Sequence, residues 1–382
     1  MNKEELQILR ISHINGKCGG SVKEYVDRID RIYTELYEFW RTRLKQKRYT
    51  AEAYEFEKQA SYYLWILAEQ VLLGTWSPKG YKDFRVYHPE RIISAPAYDD
   101  RIVEYWLTEK YIKPVMQPKL ISLNMACQEN KGQHKTVLYL KQAIEEIYKV
   151  NGKKIWYFKG DIQGYYDNVS HDYIKKIFSC IDEDAFVLFE NILNSFESEE
   201  CYAKEKEKKL HPESIKKFGV PKGNLPSQWI GITYLNEIDH YITGLPYVLF
   251  YVRFMDDFIA VCTEKWQCKR LRSYCQKHFD ENEMGIRLHP QKTQIAPITT
   301  AFKFCGWQFK LRNDGTVRLH VRNDRKELKE TEIRQMQNDY ARGLLSFEDI
   351  QLSLQSVYAY YKLGDTRTLR KYLSDKYRFR RN

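Results

Sequence analysis

The sequence contains no apolar run long enough to cross a bilayer, and none of its eight cysteines are spaced as C-x-x-C. Its start, MNKEELQILR, does not follow the basic-then-apolar order of a signal peptide. These absences argue against a membrane protein, a zinc ribbon and a disulfide framework, so we expect a cytoplasmic protein with reduced thiols. A metal site at Cys268, Cys275 and His278 is less favoured than buried thiols at these positions.

Aromatic and basic residues are abundant. Aromatic side chains make up 15% of the 382 residues, and the formal net charge is +11. A hydrophobic share of 43% is enough for a packed core, and the length predicts two or three subdomains. The positive charge favours a polyanionic partner, with nucleic acid the first candidate and an acidic protein or a membrane surface also compatible.

Residues 247–261, YVLFYVRFMDDFIAV, contain the most informative pattern in the chain. Two β-prone runs at residues 248–254 and 258–261 flank Asp256 and Asp257, which predicts a hairpin with both carboxylates at its tip. Carboxylates beside apolar neighbours need a partner or a metal ion. Mg²⁺ and Mn²⁺ prefer such oxygens, and a pair of these ions stabilises phosphoryl displacement. Taken alone, however, adjacent aspartates are more typical of a solvated turn.

A third carboxylate is predicted at the end of another strand. The run IWYF at residues 155–158 reads as a strand that delivers Asp161 at its end. The mixed Lys and Glu of residues 195–217 indicate a solvated insertion, and the basic residues 365–382 suit a phosphate backbone. The other predicted elements are helices over residues 22–40, 51–73 with Gly74 as C-cap, 135–150, 227–242 and 266–283, a hairpin over 302–309 and a strand over 317–321.

Together these segments resemble the palm of reverse transcriptases over residues 80–320. The matching segments are Asp161 with Tyr165 and Tyr166 (motif A), PKGNLPSQ at 221–228 (motif B), FMDD at 254–257 (motif C), LHPQKT at 288–293 (motif D) and FCGW at 304–307 (motif E). The resemblance implies an α+β right-hand polymerase with an antiparallel palm sheet. Its expected parts are an N-terminal helical extension (1–80), fingers (81–160), palm (161–312) and a basic helical thumb (313–382).

The same resemblance implies roles for individual residues. The expected metal ligands are Asp161, Ile162, Asp256 and Asp257, which would hold two Mg²⁺ ions, with Mn²⁺ as the alternative. Lys292 would act as a general acid toward the departing pyrophosphate, and Tyr166 would exclude a ribose 2′-hydroxyl. The expected nucleotide-binding residues are Arg91, Arg101, Tyr166, Lys222, Gly223 and Gln228.

Within the family, the likeness is greatest to the reverse transcriptases of diversity-generating retroelements and related bacterial antiphage systems. It is carried by GNLPSQ at 223–228, RIISAPAYDDRIV at 91–103, the KGQH loop and YLNEIDHYI. Two residues depart from that pattern: Lys222 replaces an aliphatic residue and Gln128 replaces an arginine. These departures favour antiviral defence over mutagenic retrohoming.

The leading hypothesis is an RNA-directed DNA polymerase that copies a dedicated non-coding RNA in antiviral defence. The expected partners are this RNA, the DNA product, deoxynucleotides and an accessory RNA-binding protein or second reverse transcriptase, without a membrane. The alternatives are a retrohoming reverse transcriptase, a catalytically inactive RNA-binding scaffold and a metal-dependent nuclease. No acidic constellation or C-x-x-C pair typical of a ribonuclease H, integrase or HNH module follows residue 320.

Overall fold

The computed structural model describes residues 22–43, 50–87, 90–210 and 216–380. The first part of the expected N-terminal helical extension, residues 1–21, lies outside them. In chain order the helices are α1 (Val22–Arg43), α2 (Ala51–Lys58), α3 (Ala60–Leu72), α4 (Asp100–Leu107), α5 (Lys113–Met116), α6 (Gln133–Asn151), α7 (Tyr165–Asn168), α8 (His171–Phe178), α9 (Glu183–Asn194), α10 (Tyr202–Leu210), α11 (Leu225–Thr233), α12 (Asn236–Thr243), α13 (Lys265–Glu281), α14 (Asn323–Ala341), α15 (Phe347–Lys362) and α16 (Arg367–Lys376).

The strands form three sheets of antiparallel pairs. They are β1 (Tyr81–Tyr87), β2 (Glu90–Pro96), β3 (Trp156–Gly160), β4 (Val248–Phe254), β5 (Asp257–Cys262), β6 (Gln294–Pro297), β7 (Phe302–Phe304), β8 (Trp307–Leu311) and β9 (Val317–Val321). The predicted α+β class with an antiparallel sheet is confirmed. In the described ranges, no helix combines the length and the apolar character that a bilayer span requires.

The chain divides into two compact units that alternate along the sequence. The first lies within Met1–Leu120, Gly164–Tyr234 and Glu283–Ile286. The second lies within Ile121–Gln163, Leu235–Asn282 and Arg287–Asn382. Consequently β1, β2, α1–α5 and α7–α11 belong to the first unit, whereas β3–β9, α6 and α12–α16 belong to the second.

The second unit is built on a four-stranded sheet in the order β4-β5-β3-β6. The side chains of Val137, Leu140 and Ile144 recur on one face of α6 and are buried in the core of this unit. Trp307, which begins β8, is fully buried in the same core. The β7–β8 hairpin turns at Cys305 and Gly306, whose φ angles of 46° and 78° are both positive, as a type I′ turn requires.

The first unit is mainly helical, and α1 packs against α3 and α4. Two hydrogen bonds connect these helices to their surroundings: Trp40 Nε1 donates to Tyr98 Oη at 3.1 Å in a buried contact, and Trp106 Nε1 donates to Glu35 Oε2 at 2.7 Å in a partly buried one. The β1–β2 hairpin pairs Tyr81 with Pro96 at its base.

Two long helices predicted from the sequence are each interrupted. The helix predicted over residues 51–73 is two helices, because Gln59 leaves the helical region at φ −132° and ψ 31°. Its C-terminal end is as predicted, since Gly74 has a φ of 67°. The helix predicted from residue 227 begins at Leu225 and ends at Thr233, whose hydroxyl bonds back to the carbonyls of the preceding turn.

The prediction that residues 195–217 are a solvated insertion is partly wrong. This stretch contains α10, and the side chains of Cys201 and Ala203 are buried with Phe218. Asn168 Oδ1 accepts a hydrogen bond from the Ala203 backbone at 3.1 Å. Charge composition alone did not reveal the short apolar segment that anchors the insertion.

Candidate active site

The end of β3 and the start of β5 bring two of the predicted carboxylates together. Asp161 directly follows β3, and Asp257 begins β5, which pairs antiparallel with β3. Gly160 lies opposite Phe258 in the paired strands. Asp161, which follows Gly160, and Asp257, which precedes Phe258, therefore lie at the same end of the sheet. A glycine is needed at position 160, since a Cβ there would lie 2.2 Å from Phe258 Cζ. The predicted hairpin is therefore confirmed, and Asp161 joins it through strand pairing.

The turn that carries Asp256 is short and unusual. Phe254 pairs with Asp257, so only Met255 and Asp256 connect β4 to β5. Met255 has a φ of 57°, in the left-handed region that a non-glycine side chain rarely adopts. Arg253 Nη1 donates a hydrogen bond to the Met255 carbonyl at 2.8 Å. The surrounding structure thus holds the turn in a conformation that costs energy, as is frequent at functional sites.

Burial changes the acid–base properties of these carboxylates. Burial raises the pKa of Asp256 to about 6, and the nearby negative charge of Asp161 adds to the rise. Burial also raises the pKa of Asp257 to about 7, although the adjacent Lys159 opposes the change. Lys159 Nζ lies 2.7 Å from Asp257 Oδ1, as an ion pair without hydrogen-bond alignment. Mutual repulsion between crowded carboxylates favours the binding of a cation.

The motif D segment runs beside Asp161. His289 donates its backbone N–H to the Asp161 carbonyl at 2.7 Å, and Ile162 forms an antiparallel bridge with Leu288. These contacts bring Lys292 Nζ to 3.7 Å from Asp161 Oδ1, while the Lys292 side chain remains 62% exposed. The second unit therefore gathers Asp161, Asp256, Asp257 and Lys292 at one end of its sheet.

The carboxylate oxygens are of the chemical type that divalent cations bind. Asp161 Oδ1 and Asp257 Oδ1 are buried and form no hydrogen bond within the described part of the chain, but Asp257 Oδ1 has the Lys159 ammonium beside it. Hard cations such as Mg²⁺ favour such oxygen ligands. Within the described ranges, no three His, Cys, Asp or Glu side chains are gathered closely enough to hold one ion. Ile162 is 3% exposed, and only its backbone offers an oxygen ligand.

The first unit contains a polar cavity of about 540 Å³ that two of the predicted nucleotide-binding residues line. These are Arg91, on β2, and Lys222. Lys222 Nζ lies 2.7 Å from Asp167 Oδ2, and the Ser94 backbone N–H donates to the Lys222 carbonyl at 2.9 Å. The walls also include several carboxylates, so this cavity carries both signs of charge.

The other predicted nucleotide-binding residues lie on neighbouring elements of the first unit. Gly223 has a φ of 151°, and a Cβ there would lie 2.8 Å from the Ser94 carbonyl oxygen. Gln228 is exposed on α11. Arg101 lies on α4 and donates through Nε to the Pro96 carbonyl at 3.0 Å. Arg101 is not among the residues that line the cavity with Arg91 and Lys222.

Tyr166 packs directly against α11. A methyl group added to Gly231 would lie 2.8 Å from Tyr166 Oη, which leaves no space for a larger residue. Tyr165, its neighbour, is buried and donates a hydrogen bond through Oη to the Gly231 carbonyl at 2.9 Å. The position of the Tyr166 ring is thus set by a glycine that is 65 residues later in the chain.

Three residues important to the arrangement were missed by sequence reasoning. They are Lys159, beside Asp257, and the buried ion pair between Arg253 and Asp239. The available signal was a charged residue inside an apolar strand, since Lys159 and Arg253 both interrupt such runs. What the sequence did not reveal is which carboxylate each cation contacts.

The sequence and the fold were compared with those of known proteins. The family model "Reverse transcriptase (RNA-dependent DNA polymerase)" matches residues 87–309. No curated protein matches the chain. Similar solved structures include a Candida albicans telomerase in complex with a fragment of telomeric RNA, at 13% identity and a TM-score of 0.42, covering 73% of this chain and 52% of that one. Another is apo telomerase from Candida tropicalis, at 14% identity and a TM-score of 0.41, covering 64% and 48%. The chain spans about half the length of these telomerases.

Proposed function

Because the chain belongs to the reverse transcriptase family, we propose that it is an RNA-directed DNA polymerase that makes DNA from a dedicated non-coding RNA by two-metal nucleotidyl transfer. The observation that supports this mechanism is the carboxylate cluster at the end of the four-stranded sheet. Asp161 and Asp257 lie at the paired ends of β3 and β5, and Asp256 lies in the adjoining turn. Asp161 Oδ1 is buried and lacks a hydrogen-bond partner among the described residues, and the ammonium group 3.7 Å from it belongs to the exposed Lys292.

The proposed metal ligands are Asp161, Asp256, Asp257 and the backbone of Ile162. When bound, two Mg²⁺ ions, or Mn²⁺ in their place, would acidify the primer hydroxyl and neutralise charge on the triphosphate. Lys292 would donate a proton to the departing pyrophosphate, since its ammonium lies near Asp161 on an exposed side chain that is able to move. The Arg253 hydrogen bond to Met255 would keep the Asp256 turn in place during the reaction.

Nucleotide selection is proposed to depend on residues of the first unit. Lys222 and Arg91 line one polar cavity and offer cationic groups to phosphate oxygens. Arg101, Gly223 and Gln228 are proposed to complete the nucleotide-binding surface. The Tyr166 ring, held against Gly231, would exclude a ribose 2′-hydroxyl and so favour deoxynucleotides.

The biological setting is proposed to be antiviral defence by a bacterial retroelement-derived enzyme that acts in the cytoplasm with an accessory RNA-binding protein or second reverse transcriptase. Lys222 supports this setting, because it stands where the resemblance implies an aliphatic residue in retrohoming enzymes, and it places an ammonium group beside Asp167. Gln128 donates to the carbonyl of Asn124 at 2.7 Å and so stabilises its own loop. Mutagenic retrohoming is the second candidate. A variable repeat and a target gene beside the gene for this chain would indicate retrohoming, whereas their absence beside a second reverse transcriptase or effector gene would favour defence. Sequencing of RNA and DNA that co-purify with the protein would identify its template and product together.

The proposed subdivision is a helical extension over residues 1–80, fingers over 81–160, palm over 161–312 and a basic thumb over 313–382. In the thumb range, α14, α15 and α16 follow β9. An excess of Lys and Arg over residues 365–382 suits a nucleic-acid backbone.

Primer extension tests the catalytic proposal. The double variant Asp256→Asn with Asp257→Asn should lose deoxynucleotide incorporation on an RNA template and keep nearly the wild-type affinity for RNA. Unchanged incorporation would reject these residues as catalytic and support the inactive RNA-binding scaffold. Cleavage of nucleic acid without extension by the wild-type protein would instead support a metal-dependent nuclease.

A further inference from the structure

Lys159 is a charged side chain inside a sheet. It lies in β3, is 6% exposed, and has the buried residues Phe158 and Gly160 on either side. Its Nζ atom lies 2.7 Å from Asp257 Oδ1. An ammonium group in such surroundings is costly unless a negative charge compensates it. The ion pair with Asp257 is therefore part of the structure of the carboxylate cluster.

The three carboxylates of the cluster differ in their cationic neighbours. Asp257 is in contact with the buried Lys159. Lys292 Nζ lies 3.7 Å from Asp161 Oδ1, and the Lys292 side chain is 62% exposed, so it is able to move away from Asp161. Asp256 forms no ion pair with any described residue. Asp161 and Asp256 thus retain oxygens that a divalent cation can occupy, whereas one oxygen of Asp257 is already taken.

We propose that the Lys159 ammonium is a built-in counter-ion of Asp257, which keeps the cluster folded without metal and leaves Asp161 and Asp256 as the main ligands of the divalent cation. This inference rests on the proposed two-metal function. A cation bound to Asp257 Oδ1 would lie beside the ammonium, and repulsion between the two positive charges disfavours that arrangement. Lys159 is accordingly a positioning residue for the cluster.

Removal of Lys159 should then have two opposite effects. Without metal, the buried Asp257 carboxylate loses its partner, which destabilises the protein. With metal, Asp257 becomes available as a further oxygen ligand, so the cation binds more tightly and stabilises the variant more than the wild type. A lysine with only a packing role would produce the first effect without the second.

Thermal melting in the absence of RNA and nucleotide separates these possibilities. In EDTA, Lys159→Met should melt about 5 °C below the wild type. Added Mn²⁺ should raise the melting temperature of the variant more than that of the wild type, with a half-saturating concentration about tenfold lower. Lys154→Met is the matched control, because Lys154 is exposed just before β3 and should behave as the wild type in both conditions.

A second variant keeps the test decisive if Lys159→Met folds poorly. In the double variant Lys159→Met with Asp257→Asn, no buried charge is left unpaired, so melting in EDTA should return close to the wild-type value. A double variant as unstable as Lys159→Met would assign the loss to packing of the lysine stem and overturn the proposal. An equal response of Lys159→Met and the wild type to Mn²⁺ would also overturn it. Since no nucleotide is present, either failure is independent of the polymerase activity, which primer extension tests separately.

Discussion

Arg253 and Asp239 form a fully buried ion pair in the second unit, with Arg253 Nη2 2.6 Å from Asp239 Oδ2 and Arg253 Nε 2.8 Å from Asp239 Oδ1. Asp239 Oδ1 also accepts a hydrogen bond from Tyr251 Oη at 2.7 Å. Arg253 in turn bonds to the carbonyl of Met255, in the turn that carries Asp256. A carboxylate on α12 thereby fixes the arginine that supports the candidate catalytic turn.

Loss of this carboxylate should be severely destabilising. Asp239→Ala leaves the buried guanidinium without its partner, and we expect the free energy of unfolding to fall by about 3–5 kcal/mol. Denaturant titration measures the change. Asp324→Ala is the control, because its pair with Arg322 is exposed and should contribute about 1 kcal/mol or less. Equal losses in the two variants would contradict a structural role for the Arg253–Asp239 pair.

The stability of the first unit should depend on pH through Glu104. This buried carboxyl accepts a hydrogen bond from Asn224 at 3.2 Å, and burial raises its pKa from 4.5 to about 8. Between these two values the folded protein keeps a proton that the unfolded chain releases, so the free energy of unfolding falls as the pH rises. Glutamine cannot ionise. The free energy of unfolding of Glu104→Gln should therefore rise relative to that of the wild type, by up to about 4 kcal/mol at pH 8.

Chemical denaturation of Glu104→Gln and the wild type at several pH values checks this expectation. The difference between the two proteins should be small near pH 4.5 and grow toward pH 8. A difference that does not vary with pH would show that Glu104 titrates normally in the folded protein. Asp100 is present in both proteins, and burial raises its pKa to about 6, so its own contribution largely cancels in the comparison.

The contact between Gly231 and Tyr166 should control nucleotide use. A methyl group at position 231 would lie 2.8 Å from Tyr166 Oη, so Gly231→Ala must displace the ring. We expect kcat/KM for deoxynucleotides to fall about tenfold or more, because small misplacements near reacting groups are costly. Steady-state primer extension measures it. Tyr166→Phe added to Gly231→Ala removes the closest contact and should recover most of the loss; no recovery would rule out the ring as the cause.

The local parts of the fold were predictable from the sequence, and the reason is visible in the hairpin formed by β4 and β5. The apolar runs on both sides of Asp256 and Asp257 pair with each other. Because these runs are adjacent in sequence, local residue patterns are enough to predict the hairpin. The Asp161 strand was recognisable for the same reason. The resemblance to reverse transcriptase motifs then predicted that the Asp161 strand lies beside this hairpin. Hydrophobic periodicity alone does not show which distant strands pair.

The remaining features depend on contacts between residues far apart in the chain. The pairing of Lys159 with Asp257 depends on the register of β3 against β5, which no local pattern specifies. Lys222 meets Asp167 after a separation of 55 residues. Helix interruptions were also missed, because a single residue such as Gln59 can leave the helix without glycine or proline to signal it.

Replacement of Asp161 is the most direct test of the proposed catalytic cluster. Asp161 is separated from Asp256 by 95 residues in sequence, and the pairing of β3 with β5 brings it to the cluster. The measurement is the single-turnover rate of deoxynucleotide incorporation by Asp161→Asn on a primed RNA template at saturating Mg²⁺. With Asp161 as a metal ligand, the rate should fall by at least about 10³-fold while binding of the primed template persists. A rate within about tenfold of the wild type would contradict the assignment of Asp161, Asp256 and Asp257 to one catalytic cluster.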